Sequence, residues 1–99
     1  MISTRHIVLS LIFAFFAANS SAQLNVIISG GLAAAYQDLL PEFVSANEIE
    51  VETGRGGSVG DSPRAIPNQL ARGVEADVII LARQGLEEIR KQGRIVEGS

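Results

Sequence analysis

Two short segments, Leu24-Asn25-Val26-Ile27-Ile28-Ser29 and Asp77-Val78-Ile79-Ile80-Leu81, are rich in β-branched residues and almost free of polar interruption. A strand with one face in water alternates apolar and polar side chains. A continuous run therefore calls for cover on both faces, which a parallel sheet between helices supplies. Each run ends where a helical pattern begins, so the chain is constrained to a small set of α/β arrangements.

After the first run and Gly30-Gly31, apolar residues fall at Leu32, Ala35, Tyr36, Leu39, Leu40 and Phe43. That spacing predicts a helix from about Leu32 to Ser45 with this set facing inward. Pro41 is expected to kink it, because proline lacks the amide hydrogen and crowds the preceding turn. Glu48-Ile49-Glu50-Val51-Glu52-Thr53 then alternates charge with β-branched residues, the pattern of an edge strand with one wet face.

Gly54 to Pro63 is glycine-rich and aperiodic, hence a loop. Ser62 is placed to cap a short helix that has Pro63 or Pro67 in its first turn, carries Ile66 and Leu70 inward and ends at Gly73. Following the second apolar run, Gln84 to Gln92 reads as a helix with Leu86 and Ile89 inward. Glu87 and Lys91 stand four apart, in the favourable order for a pair.

The strand–helix alternation predicts an α/β three-layer sandwich with a parallel sheet. The two buried strands are neighbours and the alternating strand lies outside, giving the order 2-1-3. In such a sheet the loops leaving strands 1 and 3 diverge to opposite faces and open a crevice at the carboxyl ends.

Residues 1–22 carry the marks of an export signal. Arg5 supplies the positive start, Ile7 to Ala18 form a 12-residue apolar run, and Ser20-Ser21-Ala22 offers small residues for cleavage before Gln23. As a helix such a run spans about 18 Å, short of a hydrocarbon core of about 30 Å, so no stable membrane insertion is expected after cleavage. The reading is thus a signal peptide over 1–22, a domain over 23–99 and a periplasmic location.

Beyond Ala22 the chain holds 7 basic and 11 acidic side chains, a net charge of −4, with no histidine and no cysteine. An acidic balance argues against a nucleic-acid partner. Without His or Cys, neither a Ser-His-Asp triad, nor a Cys-His pair, nor a His- or thiolate-based metal site can be assembled, and no cofactor or metal is expected. Proton transfer would fall to Asp, Glu, Tyr, Lys or Arg.

Three loops converge on the expected crevice: Ser29-Gly30-Gly31, Gly54 to Ser62, and Ala82-Arg83. Glycines allow close approach to the backbone, and the helices starting there aim unpaired amides and positive dipole ends at a ligand. The result is an anion-receptive geometry formed by Ser29, Gly30, Gly31, Gly57 and Ser58, with the Ser62 hydroxyl as a further neutral donor. Arg55 and Arg83 either pair with a carboxylate ligand or stand as solvated loop charges. Gly30-Gly31 serves equally as a tight strand-to-helix turn, and Tyr36 as a core aromatic with its hydroxyl at the surface. The spacing matches neither the dinucleotide nor the phosphate-loop glycine pattern.

The segments Leu24-Asn25-Val26-Ile27-Ile28-Ser29-Gly30-Gly31-Leu32, Gly56-Gly57-Ser58, Leu70-Ala71-Arg72-Gly73-Val74-Glu75-Ala76-Asp77-Val78 and Gln92-Gly93-Arg94-Ile95-Val96-Glu97-Gly98-Ser99 resemble the start of a periplasmic solute-binding protein of the molybdate-binding type. These are receptors of ABC transporters with the second structural class of fold. The resemblance implies two α/β lobes clamping a small anionic ligand, a transporter permease as partner, and a sequence covering part of the first lobe. It assigns oxyanion contact to Ser58. Where molybdate receptors usually place a serine before the leucine that opens helix 1, this chain has Gly31.

Ser29-Gly30-Gly31-Leu32-Ala33-Ala34-Ala35-Tyr36 and Ala65-Ile66-Pro67-Asn68-Gln69-Leu70-Ala71-Arg72-Gly73 are more similar to a branch that includes bacterial aconitate isomerase. That likeness implies a carboxylate ligand held by Ser29, Gly30, Gly31, Arg55, Ser58 and Arg83. If the fold is used catalytically, the likeness implies one base of tuned pKa, for which this sequence offers Asp61 or Tyr36.

Overall fold

A computed structural model describes residues 22–99; the expected export signal lies outside the described residues except for Ala22. The elements are β1 (Gln23–Ile28), a 3-10 turn (Gly30–Leu32), α1 (Ala33–Asn47), β2 (Glu50–Arg55), α2 (Ile66–Ala71), β3 (Val78–Ile80) and α3 (Arg83–Lys91). The strands form a parallel sheet in the order β2-β1-β3, as the hydropathy pattern predicts. Gln23 to Ile28 pair with Glu50 to Arg55, and Val26 to Ile28 with Val78 to Ile80.

Alternation along the strands divides the protein into layers. Ile27 points to the face covered by α2 and α3, where it forms a buried core with Ile66 and Ile89. Leu70, Ala76, Ile79, Leu81 and Ile95 pack around this core. Val26 and Ile28 turn to the opposite face, which α1 covers. The Tyr36 hydroxyl marks that packing, since it meets Thr53 Oγ1 at 2.7 Å and Thr53 is the β2 partner of Val26.

Helix α1 is rotated from the expected face. Ala33 is buried and Tyr36, Leu40 and Val44 are half-buried, whereas Leu32, Leu39 and Phe43 are exposed, Leu39 to 65%. A 3-10 turn leads into this helix, which begins at Ala33, and the Tyr36 hydrogen bond to Thr53 marks the side that meets the sheet. Pro41 lies inside the helix, as expected. The helix ends on Glu48 in the left-handed conformation, at φ 52°.

Three further expectations are corrected. β3 is not covered on both faces: Val78, which pairs with Val26 on the α1 side of the sheet, is 41% exposed, so cover on that side is incomplete at β3. Ser62 does not cap α2. Its carbonyl and hydroxyl accept from the amides of Ala65 and Arg64 in a local turn, and the helix starts three residues later on Ala65. Glu87 pairs with Arg90 at 3.9 Å rather than with Lys91, an exposed contact of little energetic weight.

Candidate functional site

Parallel register brings the carboxyl ends of the strands together, with Ile28 flanked by Arg55 on one side and Ile80 on the other. The loops continue this registry: the Ser29 amide donates to the Ile80 carbonyl at 2.9 Å, and the Gly56 amide to the Ile28 carbonyl at 3.4 Å. Ser29, Gly56 and Leu81 thus leave the sheet side by side. From there the chain enters α1 on one face and α3 on the other, the divergence that opens a crevice.

Ser29 precedes the 3-10 turn in an extended conformation, and its hydroxyl makes no capping bond. Gly30 and Gly31 follow, both exposed. In the second loop Ser58 is half-buried, and its Oγ accepts the Ala82 amide at 2.9 Å. A serine hydroxyl has one donor and two acceptor positions. Engaged as an acceptor by the backbone, Ser58 keeps its O–H for a ligand. Ala82 is the N-cap of α3, so Ser58 sits at the positive end of that helix, beside the Arg83 and Gln84 amides that helix geometry leaves unpaired.

Arg55 closes β2 and Arg83 opens α3; both are exposed, and neither forms an ion pair among the described residues. Gly57 is fixed by its carbonyl, which accepts the Ile66 amide at 2.7 Å. The structure therefore brings Ser29, Gly30, Gly31, Gly57, Ser58 and Arg83 to one edge, with Arg55 at its β2 side. The two candidate proton-transfer groups flank this edge, Tyr36 in the first turn of α1 and Asp61 on the loop three residues beyond Ser58. The Tyr36 hydroxyl shares a hydrogen bond with Thr53 Oγ1, and Asp61 lines a hollow of about 360 Å³ with Val59, Asn68, Gln84 and Glu88, next to the loop that carries Ser58. A larger groove of about 760 Å³ lies along β3 and α3, with Leu70, Ile79, Leu86 and Ile95 among its walls, and none of the crevice residues line it. Among the described residues no cluster of acidic side chains is arranged to hold a metal ion, and no helix is long and apolar enough to cross a membrane.

Two residues that shape this edge escape a reading of the sequence. Gln69, 9% exposed, donates through Nε2 to the carbonyls of Arg55 at 2.9 Å and Arg64 at 2.7 Å, the two ends of the glycine-rich loop. Gly85 lies in the first turn of α3, where a Cβ would overlap the Ser58 carbonyl oxygen and lie 2.9 Å from its carbon. A glycine inside a helical pattern, where alanine would serve better, is the signal that could have found Gly85. Gln69 gave none, because a polar residue on a short helix is ordinarily solvated.

Residues 24–99 match the family model described as bacterial extracellular solute-binding protein. Over 83 residues the chain is 31% identical to an aconitate isomerase from a Pseudomonas species, an alignment covering 84% of this chain and 32% of that protein. The chain thus spans about a third of the length of the curated relative it matches. No solved structure matches it.

Proposed function

The chain belongs to the bacterial extracellular solute-binding protein family, and from that premise we propose that it contributes the crevice of an exported receptor that holds a small anion for an ABC-type transporter. The arrangement of Ser58 carries this reading. Its hydroxyl oxygen is occupied by the Ala82 amide, so the hydroxyl proton is free to be donated at the positive end of α3. Ser29, the Gly30 and Gly31 amides, Arg55 and Arg83 are the companion donors. A family match starting at residue 24 supports removal of residues 1–22 on export to the periplasm.

Within the anions, a carboxylate is favoured over molybdate. Gly31 lacks the hydroxyl that molybdate receptors usually offer there, and a buried oxyanion left one donor short loses about 1–3 kcal/mol. Two exposed arginines suit carboxylates, which a guanidinium holds through paired hydrogen bonds. Thermal melts with cis-aconitate, trans-aconitate and molybdate test the reading. A ligand at a hundred times its dissociation constant stabilises by about 2.7 kcal/mol, or roughly 10 °C or more for a domain of this size. Ser58→Ala is expected to weaken the carboxylate at least about tenfold, the loss of one hydrogen bond to a charged group. No shift with any of the three anions would refute the proposal.

The similarity to aconitate isomerase favours a second reading, in which the same crevice interconverts cis- and trans-aconitate. Proton NMR of the protein with cis-aconitate decides between them: appearance of trans-aconitate marks an isomerase, and a melting shift without conversion marks a receptor. On the isomerase reading Asp61 and Tyr36 are the candidate proton-transfer groups among residues 22–99, Asp61 in the hollow that Gln84 also lines and Tyr36 hydrogen-bonded to Thr53.

A further inference from the structure

We infer that Gln69 is the positioning residue of the anion crevice, acting through Ser58; the inference rests on the proposed role of Ser58 as a ligand donor. The loop between β2 and α2 has Gly56, Gly57 and Gly60 within five residues, a composition that by itself leaves the backbone free to wander. It is held by side chains from the short helix that follows. The two bonds from Gln69 Nε2 clamp the loop's ends at Arg55 and Arg64. Asn68 Nδ2 donates to the carbonyls of Gly60 at 3.0 Å and Ser62 at 2.8 Å, and Arg72 donates to the Pro63 carbonyl.

These holds are not equivalent. Asn68 and Arg72 make exposed contacts, which water can replace. The Gln69 bonds are part-buried, so their loss leaves two carbonyls facing an apolar side chain with reduced access to solvent. Gly56 belongs to the same clamp, since a Cβ there would overlap the Arg64 carbonyl oxygen and come within 2.6 Å of Gln69 Nε2. With the loop ends fixed, the Gly57 carbonyl meets the Ile66 amide and Ser58 Oγ meets the Ala82 amide, which orients the hydroxyl. Gln69 touches no ligand in this scheme; it sets where Ser58 stands.

The test is a double-mutant cycle with cis-aconitate as the probe, using Gln69→Met, which keeps the length of the side chain and removes the donor. Affinity is expected to fall about tenfold in the wild-type background, of the size seen for a lost hydrogen bond to a charged group, and not to fall further in Ser58→Ala. Equal losses in both backgrounds would show a general structural role and overturn the inference.

Amide hydrogen exchange supplies a readout that needs no ligand. Gln69→Met is expected to speed exchange at Ile66 and Ala82 while Ile27 and Ile28 stay protected. Unchanged protection at Ile66 and Ala82 overturns the inference even if cis-aconitate fails to bind, an outcome that would instead remove the proposed function. Should Gln69→Met not fold, the wild-type Gln69 side-chain amide carries the test: slow exchange of its protons supports the clamp, and exchange as fast as at an exposed glutamine refutes it.

Discussion

Replacing Gly85 by alanine separates helix propensity from tertiary contact, because the two predict opposite signs. Gly85 lies in the first turn of α3, and on propensity alone alanine there stabilises by up to about 1 kcal/mol. The structure opposes this. An added Cβ would overlap the Ser58 carbonyl oxygen, stand 2.9 Å from the Ser58 carbonyl carbon and press on Leu81 Cδ1 at 2.8 Å. Ordinary carbon contacts begin near 3.5 Å, so the loop must retreat by roughly 1 Å. Ser58 Oγ now lies 2.9 Å from the Ala82 amide, and the same retreat carries the pair out of hydrogen-bond range. Overpacking costs about 1–3 kcal/mol and the lost bond about 1 kcal/mol. Set against the propensity gain, the net is a destabilisation of about 1–3 kcal/mol. For a domain of this size the melting temperature falls by about 4–8 °C per kcal/mol. Urea or thermal unfolding followed by circular dichroism measures the change, and carboxylate binding is expected to weaken with it. A Gly85→Ala protein that melts higher than wild type with unaltered ligand affinity would refute the close approach of the loop to α3.

Glu48→Gly is expected to raise stability by about 1 kcal/mol in the same melts, since Glu48 ends α1 at φ 52°, where a Cβ is penalised and glycine is not. Ile89→Ala should cost about 2–5 kcal/mol because Ile89 is fully buried against Ile27 and Ile66, whereas Leu39→Ser at a 65% exposed position should stay within about 0.5 kcal/mol; equal costs would restore the inward face expected from periodicity. Tyr36→Phe removes the bond to Thr53 and should lower stability by at most about 1 kcal/mol while leaving ligand affinity unchanged. A loss of aconitate conversion in Tyr36→Phe would assign the proton transfer to the tyrosine.

The sequence determined the layers and the order of the sheet, because those follow from local signals. The run Val26-Ile27-Ile28 favours cover on both faces, and the charges at Glu50 and Glu52 disfavour a central place for β2. Parallel connections then put Ser29, Ser58 and Arg83 at one edge before any coordinate is known. Tertiary structure decided what periodicity cannot carry. The inward face of α1 is marked by the Tyr36–Thr53 bond, a contact with the neighbouring strand that the spacing of apolar residues does not record. Cover of β3 is incomplete at Val78 on the α1 side, although its residues read as a central strand. The placement of the glycine-rich loop involves Gln69, which holds the Arg55 and Arg64 carbonyls, and Gly85, which the Ser58 carbonyl approaches closely. Hydropathy records how much surface each segment must hide; it holds no record of which distant carbonyl a buried amide will find.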